Sequence, residues 1–217
     1  MHHDRAGTRR TLATHVSSAR VVVVIPTTTA DEVHQVLDRL CDAGCRAWLA
    51  GGWGVDALAG RQTRPHRDLD LLVDEADEAT TLAVLTALGY TVETDQRPTR
   101  VELGAPGRGR VDVHLLVPAG DGSAHLAGLL PEVRYPAASF TEGVIADRTV
   151  ACVSIAQQLA LHAGYPPREV DLHDLVILER LRDPGSPTDA PTDSGRGASS
   201  SRTSSGPGSA AASSGRL

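Results

Sequence analysis

Two aspartates at the beginning of a predicted strand carry the strongest chemical signal in the sequence. Asp68 and Asp70 flank Leu69, and the apolar run that follows predicts a strand over residues 69–73. Because side chains alternate across a strand, both carboxylates project from the same face. Two carboxylates this close repel each other unless a cation lies between them, and Mg²⁺ prefers such oxygen ligands. The pair indicates either a magnesium site or, as the structural alternative, an acidic strand end that caps a loop.

A third aspartate lies inside a run that is otherwise apolar. Asp112 has Val111 and Val113 as neighbours, and the pattern predicts a strand over residues 111–117. A lone carboxylate in such a strand costs free energy unless it is paired or binds a metal ion. His114 shares this face, where it either orients a carboxylate, contacts a substrate or serves as a core histidine with one hydrogen bond.

A pair of glycines precedes the first two aspartates. Gly51 and Gly52 follow a predicted buried strand over residues 47–50 and precede a predicted short helix over residues 54–58. Glycine lets the backbone approach a phosphate closely, and a helix N-terminus offers free N–H groups. A strand followed by two glycines is also a common turn, and the spacing does not match the dinucleotide-binding fingerprint.

The order of these three motifs is that of the polymerase-beta-type nucleotidyltransferases. A closer resemblance, to aminoglycoside 2''-adenylyltransferases and lincosamide nucleotidyltransferases, is carried by AGGWGVDALAGRQTRPHRDLDLLVD, RPTRVEL and GRVDVHLL. The later segment LHAGYPPREVDLHDLVIL is similar to the helical end of those enzymes, so the resemblance covers about residues 33–181. It implies an α/β (α+β) fold: a small mixed sheet of the minimal nucleotidyltransferase type, flanked by helices, with a C-terminal helical segment.

The resemblance also implies a role for each motif. Asp68 and Asp70 would coordinate two Mg²⁺ ions, while Asp112 would bind the catalytic ion and take the proton from the substrate hydroxyl. The residues that would hold the nucleotide lie in the glycine segment and the loop that follows it: Gly51, Gly52, Trp53, Arg61, Thr63, Arg64 and His66. As an alternative, the arginines of this loop are solvated or paired with nearby acids.

Hydrophobic periodicity predicts how these motifs are positioned. A capping box at Thr29 and Glu32 predicts the start of a helix. Further helices are predicted over residues 77–88, from Ser154 to His162 with Gly164 as the stop, and over 169–181. Further strands are predicted over 91–94 and 101–103. We expect a flexible leader over residues 1–18 and a nucleotidyltransferase domain over 19–183. Residues 184–217 are rich in Ser, Gly, Pro and Ala, a composition that favours a disordered tail.

Composition excludes several other functions. The formal net charge is −6, whereas a protein that follows nucleic-acid phosphates needs a basic surface, so we expect no nucleic-acid partner. All 21 positively charged residues are arginine, which excludes P-loop, Schiff-base and lysine-adenylylation chemistry. The three cysteines do not suggest a disulfide framework, and the apolar run 21–25 is too short to span a membrane. We therefore expect a cytoplasmic protein without a membrane partner.

The sequence thus predicts an enzyme that moves a nucleoside monophosphate from a triphosphate, ATP or another, onto a hydroxyl group of a small molecule. A cationic aminoglycoside and a lincosamide of low charge are alternative acceptors. A protein acceptor would use the same metal chemistry. A non-catalytic nucleotide-binding or antitoxin-like module is the remaining alternative, and the retention of all three carboxylates favours the enzyme over it.

Overall fold

The computed structural model describes residues 26–129, 133–163 and 165–183. The predicted leader (1–18), the predicted tail (184–217) and the helix stop at Gly164 lie outside the described residues. The helices are α1 (Ala30–Asp42), α2 (Gly51–Ala59), α3 (Glu78–Ala87), α4 (Ile155–His162) and α5 (Glu169–Arg182). The strands are β1 (Ala47–Leu49), β2 (Asp68–Asp74), β3 (Thr91–Gln96), β4 (Arg100–Gly104), β5 (Arg110–Pro118), β6 (Ala124–Leu126), β7 (Arg134–Tyr135), β8 (Phe140–Ile145) and β9 (Arg148–Val153).

Within the described ranges, all nine strands belong to one sheet. The main path runs β3-β4-β5-β2-β1-β9-β8, and β6 joins it by pairing with β5 and β7. The pairs β2/β5 and β1/β9 are parallel, whereas the other pairs are antiparallel. This mixture confirms the predicted α/β fold with a mixed sheet.

The alternation of residues on β2 and β5 separates a packed face of the sheet from a polar one. Leu69 and Leu71 on β2 and Val111 and Val113 on β5 are buried in the main core, together with apolar residues of α1 and α3. The residues between them, which include the three aspartates, consequently face the other side of the sheet. The apolar face thereby anchors two strands whose opposite face carries the acidic groups.

The predicted capping box at the start of α1 is confirmed. The Thr29 hydroxyl accepts a hydrogen bond from the Glu32 N–H, and the Glu32 carboxylate accepts one from the Thr29 N–H at 2.8 Å. The apolar stripe of this helix, including Val33, Val36 and Leu40, is buried against the sheet. No helix in the described part of the chain is long and apolar enough to cross a membrane.

Two parts of the fold differ from the prediction. Helix α2 begins at Gly51 rather than at Gly54, so the two glycines form its first turn instead of a preceding loop. The four strands β6 to β9 were not predicted at all. The hairpin β8–β9 turns at Ala146 and Asp147, which both have positive φ although neither is glycine, so the usual sequence signal for a tight hairpin is missing.

Candidate active site

The parallel pairing of β2 with β5 brings two of the predicted aspartates side by side. Asp70 lies directly opposite Asp112 in the register of the two strands. Asp70, Asp112 and His114 each offer one ligand atom, and these atoms all lie within 4.8 Å of one another. We call these three residues the cleft cluster. Asp68 is exposed at the beginning of β2 and lines the same cleft, but it is not part of this cluster.

Asp112 is the most enclosed of the three aspartates, with 6% of its surface exposed. Its Oδ2 atom accepts a hydrogen bond from Nη1 of Arg100 at 2.6 Å, whereas its Oδ1 atom is buried without a partner among the described residues. Burial raises the pKa of Asp112, and the positive charges of His114 and Arg100 offset this only in part. The unpartnered oxygen has the capacity to bind a cation or to accept a proton.

His114 lines the cleft and is not a core histidine. Its Nε2 atom lies 3.4 Å from Oδ1 of Asp70 and 3.7 Å from Oδ2 of Asp112, and 22% of its side chain is exposed. Burial alone would lower the pKa of His114, but the hydrogen bond to Asp70 and the charges of both aspartates outweigh it and raise this pKa. Of the roles that the sequence left open, the structure therefore favours the one beside the carboxylates.

Asp68 contributes a further negative charge to the cleft. Partial desolvation raises the pKa of its carboxyl group, and the neighbouring charge of Asp70 raises it further. Both effects disfavour the ionised form, and a nearby cation would reverse them.

The first turn of α2 presents backbone directly to these carboxylates. Gly51 has a φ of +53°, and a Cβ atom at this position would overlap Oδ2 of Asp70. The N–H of Ala50, the residue before the helix, donates to the Asp70 carbonyl at 3.0 Å, and Ala50 has no side chain that could cap α2. The amide of Gln158 on α4 donates to the Gly51 carbonyl at 3.3 Å. The uncapped N-terminus of α2 therefore suits an anion such as a phosphate.

These groups surround one cleft of about 540 Å³. Its basic side chains are Arg64, Arg67, Arg100 and Arg168, and its apolar wall includes Leu72, Leu126, Val133, Tyr135 and Leu161. Arg64 is fixed in the cleft by Asp174 on α5, with Nε to Oδ1 at 2.9 Å and Nη2 to Oδ2 at 2.5 Å. The cleft thus combines acidic, basic and apolar regions.

The residues of the cleft fit a divalent cation. The cleft cluster supplies two carboxylates and an imidazole within reach of one ion, and one buried carboxylate oxygen of Asp112 has no other partner. The missing side chain of Gly51 makes the room that the Asp70 carboxylate occupies. This oxygen-rich donor set is of the kind that binds Mg²⁺ or Mn²⁺.

Comparison with known proteins identifies the family. A family model described as aminoglycoside-2''-adenylyltransferase matches residues 32–178. The lincosamide resistance protein of Staphylococcus haemolyticus is 34% identical over 156 residues, which are 70% of this chain and 96% of that relative. The chain belongs to the aminoglycoside-2''-adenylyltransferase family. It is therefore a nucleotidyltransferase, as the sequence predicted.

Further relatives support the same family and fold. A 2''-aminoglycoside nucleotidyltransferase of Klebsiella pneumoniae is 29% identical over 139 residues, covering 59% of this chain and 69% of that protein. The crystal structure of the lincosamide antibiotic adenylyltransferase LnuA, bound to lincomycin, matches with a TM-score of 0.66 and 33% identity over 71% of this chain and 99% of LnuA. The structure of ANT(2'')-Ia matches with a TM-score of 0.58 at 21% identity, over 70% of this chain and 86% of that chain, and shows the shared fold.

The predicted nucleotide-binding residues of this nucleotidyltransferase divide into two groups. Gly51, Gly52 and Arg64 line the cleft together with the three aspartates. The side chains of Trp53, Arg61 and His66 do not line it. Trp53 is 1% exposed because α2 turns this residue into the core, and Arg61 is exposed at the end of α2. The loop after α2 therefore cannot be treated as one phosphate-binding unit.

His66 belongs to a second, enclosed cluster behind the glycines. Its Nε2 atom lies 2.5 Å from Oδ2 of Asp56, and both residues are 1% exposed. The other oxygen of Asp56 accepts hydrogen bonds from the Thr63 backbone N–H at 3.0 Å and from the Thr63 hydroxyl at 2.6 Å. A Cβ atom at Gly52 would overlap Nδ1 of His66. This scaffold cluster (Asp56, Thr63 and His66) supports the glycine turn from behind.

Sequence reasoning missed several groups that line the cleft. Arg100 contacts Asp112 directly, and its only signal was its place at the beginning of a predicted strand within RPTRVEL. Tyr135 and Gln158 come from β7 and α4. Tyr135 could not be found because β7 has only two residues and no periodicity to detect.

Proposed function

We propose that this nucleotidyltransferase transfers the adenylyl group of ATP to a hydroxyl group of a lincosamide antibiotic, with two divalent cations, Mg²⁺ being the expected ion. The proposal rests above all on the Asp70–Asp112 pair, which lies opposite an uncapped helix N-terminus in a cleft that also has an apolar wall. The three free cysteines suit the reducing cytoplasm, where ATP is available.

Each acidic residue has a distinct place in the proposed mechanism. Asp68 and Asp70 would hold the cations together with Asp112. When bound, the ions would supply positive charge that offsets the negative charge developing during the transfer. Asp112 would also accept the proton of the acceptor hydroxyl, while Arg100 holds its Oδ2 atom in place.

The backbone and the arginines would bind the triphosphate. The first turn of α2 approaches without side chains at Gly51 and Gly52, so its N–H groups are accessible to phosphate oxygens. Arg64, Arg67 and Arg168 line the same cleft and would stabilise the departing pyrophosphate. Arg64 is already oriented for this task by its bidentate contact with Asp174.

The lining of the cleft favours a lincosamide over an aminoglycoside. Asp174 and Asp171 are paired with Arg64 and Arg168, so neither carboxylate is free to bind the ammonium groups of a polycation. The apolar wall suits an acceptor of low charge with hydrocarbon groups. The 34% identity to a lincosamide resistance protein supports the same choice. An aminoglycoside is the second candidate, because the family model and the Klebsiella relative carry that description.

A pyrophosphate-release screen tests this proposal. The enzyme is incubated with ATP, GTP, CTP or UTP and with lincomycin, clindamycin, tobramycin or kanamycin, in Mg²⁺ and separately in Mn²⁺. We expect release that depends on a lincosamide and is strongest with ATP, and a product whose mass corresponds to one added adenylyl group. Release with aminoglycosides alone would favour the second candidate. Failure with all acceptors in both metals would reject the antibiotic acceptors.

A further inference from the structure

We propose that His114 is itself a ligand of the cation bound by Asp70 and Asp112, so that this position is a mixed imidazole–carboxylate site with raised affinity for Mn²⁺ relative to Mg²⁺. The inference refines the proposed function, because it concerns one of the two ions that the transfer would use. It assigns to His114 a binding role rather than the role of a counter-ion.

The spacing of the three side chains supports a shared ion. Two ligand atoms bound to one ion at about 2.1 Å lie about 3.0–3.5 Å apart, depending on the bond angle. The Nε2 atom of His114 lies 3.4 Å from Oδ1 of Asp70 and 3.7 Å from Oδ2 of Asp112. Small side-chain adjustments therefore suffice to bring all three groups onto a single ion.

A second observation comes from Asp112. Its Oδ1 atom is buried and has no hydrogen-bond partner in the described part of the chain, although the other oxygen accepts a short hydrogen bond from Arg100. A buried carboxylate oxygen without a partner is costly, and such atoms in native structures call for a ligand or a water molecule. Arg100 thus occupies Oδ2 of Asp112, so the carboxylate keeps the acceptor capacity of Oδ1 for an ion.

The location of His114 argues against a purely structural role. The residue is two positions after Asp112 on β5, on the same face of the strand, and it pairs in register with Leu72 of β2 and with Arg100 of β4. Its imidazole lines the cleft together with the carboxylates and with Leu72 of the apolar wall.

The chemical class of the ion follows from the donor set. Mg²⁺ is a hard cation that prefers oxygen ligands, whereas imidazole is a good ligand for first-row transition metals. Mn²⁺ accepts carboxylate, phosphate and imidazole donors together. A site of two carboxylates and one imidazole therefore gains more from the nitrogen when Mn²⁺ is bound than when Mg²⁺ is bound.

Pulsed electron paramagnetic resonance on the full chain tests this assignment. Mn²⁺ is added with and without a non-hydrolysable ATP analogue, and no acceptor is present. We expect a ¹⁴N coupling from a directly bound imidazole in the wild type. His114→Gln and His114→Ala should lose this coupling and bind Mn²⁺ about tenfold more weakly, with a smaller change for Mg²⁺.

His162 provides the matched control, because it also lines the cleft but lies on α4 and hydrogen-bonds the Gln158 carbonyl at 2.8 Å. His162→Gln should keep the nitrogen coupling and the Mn²⁺ affinity. Bound Mn²⁺ without nitrogen coupling in the wild type, coupling that persists in His114→Ala, or failure to bind Mn²⁺ at all would each overturn the assignment. Nitrogen-coupled Mn²⁺ in an enzyme that modifies no lincosamide would instead reject only the proposed acceptor.

Discussion

Two clusters that each combine aspartate with histidine meet at the glycine turn of α2. Gly51 leaves room for Asp70 of the cleft cluster, and Gly52 leaves room for His66 of the scaffold cluster. The two clusters contain similar residue types, yet their carboxylates differ in whether both oxygens have a partner; among the described residues, Nδ1 of His66 is also buried without one. In the scaffold cluster, both oxygens of Asp56 accept hydrogen bonds. In the cleft cluster, Asp112 retains a buried oxygen without a partner.

This difference separates a structural carboxylate, that of Asp56, from a carboxylate available for chemistry, that of Asp112. A carboxylate whose two oxygens both have partners and which is only 1% exposed, as in Asp56, stabilises its surroundings and is inaccessible to a ligand. A carboxylate with unused capacity at the edge of a cleft can bind a cation or take up a proton. The comparison predicts that substitutions in the two clusters will affect different properties of the enzyme.

The largest effect should follow from Asp112→Asn. We expect turnover to fall by about 10³-fold or more, because the substitution weakens metal binding and removes the proton acceptor. Binding of ATP and the melting temperature should change little. Single-turnover kinetics and calorimetric titration with ATP measure the two quantities. Asp95→Asn, at an exposed aspartate of β3, is the control and should keep turnover near the wild-type rate. A rate within tenfold of wild type in Asp112→Asn would remove this residue from the chemistry.

Asp56→Ala should mainly lower stability, whereas Asp112→Asn should mainly lower turnover. Removing the carboxylate leaves His66 and Thr63 with buried donors that have no partner, and we expect a loss of about 3 kcal/mol in the free energy of unfolding. For a chain of this size the melting temperature should fall by roughly 6–12 °C. Thermal and urea unfolding measure the change. An Asp56→Ala protein with unchanged stability but abolished turnover would contradict the distinction between the clusters.

Gly52→Ala tests the contact between the scaffold cluster and the turn. The added Cβ atom would overlap His66, so we expect a loss of about 1–3 kcal/mol in stability and a weaker affinity for ATP. Gly120→Ala is the matched control, since no atom lies within 4 Å of a Cβ at that position and its φ is not positive. Equal stability and equal ATP affinity in the two variants would show that the turn tolerates a side chain.

Arg64→Gln should produce smaller changes, which affect both the KM for ATP and the stability. The substitution breaks the bidentate contact with Asp174 and removes a positive charge from the cleft. We expect the KM for ATP to rise by about tenfold, with a loss of stability on the order of 1–2 kcal/mol. Steady-state kinetics with varied ATP measure the first effect. If Asp174→Asn, which leaves the arginine in place, raises the KM as much, then orientation rather than charge is responsible.

The smallest effect concerns Asp171, whose partner Arg168 is largely exposed. The hydrogen bond from Arg168 lowers the pKa of Asp171 to about 2. The ionised carboxylate therefore stabilises the fold above the usual pKa near 4, and this contribution is lost as the pH falls toward 2. We expect Asp171→Asn to be about 1 kcal/mol less stable at pH 7, with a difference that narrows between pH 4 and pH 2. Urea unfolding across this range measures it, and a difference that is independent of pH would exclude the ion pair as its source.

Part of this site could be predicted from local patterns. Alternation along β2 and β5 places Asp68, Asp70 and Asp112 on one face, and the glycines mark the approach of backbone to the carboxylates. Local patterns did not place the two histidines correctly. His66 was predicted to bind nucleotide and is enclosed in the scaffold, whereas a core role was considered for His114, which lines the cleft.

The positions of the two histidines were not predictable from the sequence for a physical reason. Whether a histidine faces solvent depends on partners that are distant in the chain, and no local pattern specifies them. The β8–β9 hairpin and the two short strands before it were missed for a related reason. Their stability comes from pairing with other strands of the sheet. In addition, β7 has only two residues and β8 is largely exposed, so their sequences carry little periodicity.

The parallel register of β2 and β5 determines which insertions the enzyme can accept during evolution or engineering. The 35 residues that connect these strands form a detour through α3, β3 and β4, since parallel neighbours cannot be joined by a tight turn. Extra residues in the exposed turns of this connection leave Asp70 and Asp112 opposite each other. One residue inserted within β5 just before Asp112 would turn this carboxylate toward the packed core and abolish activity.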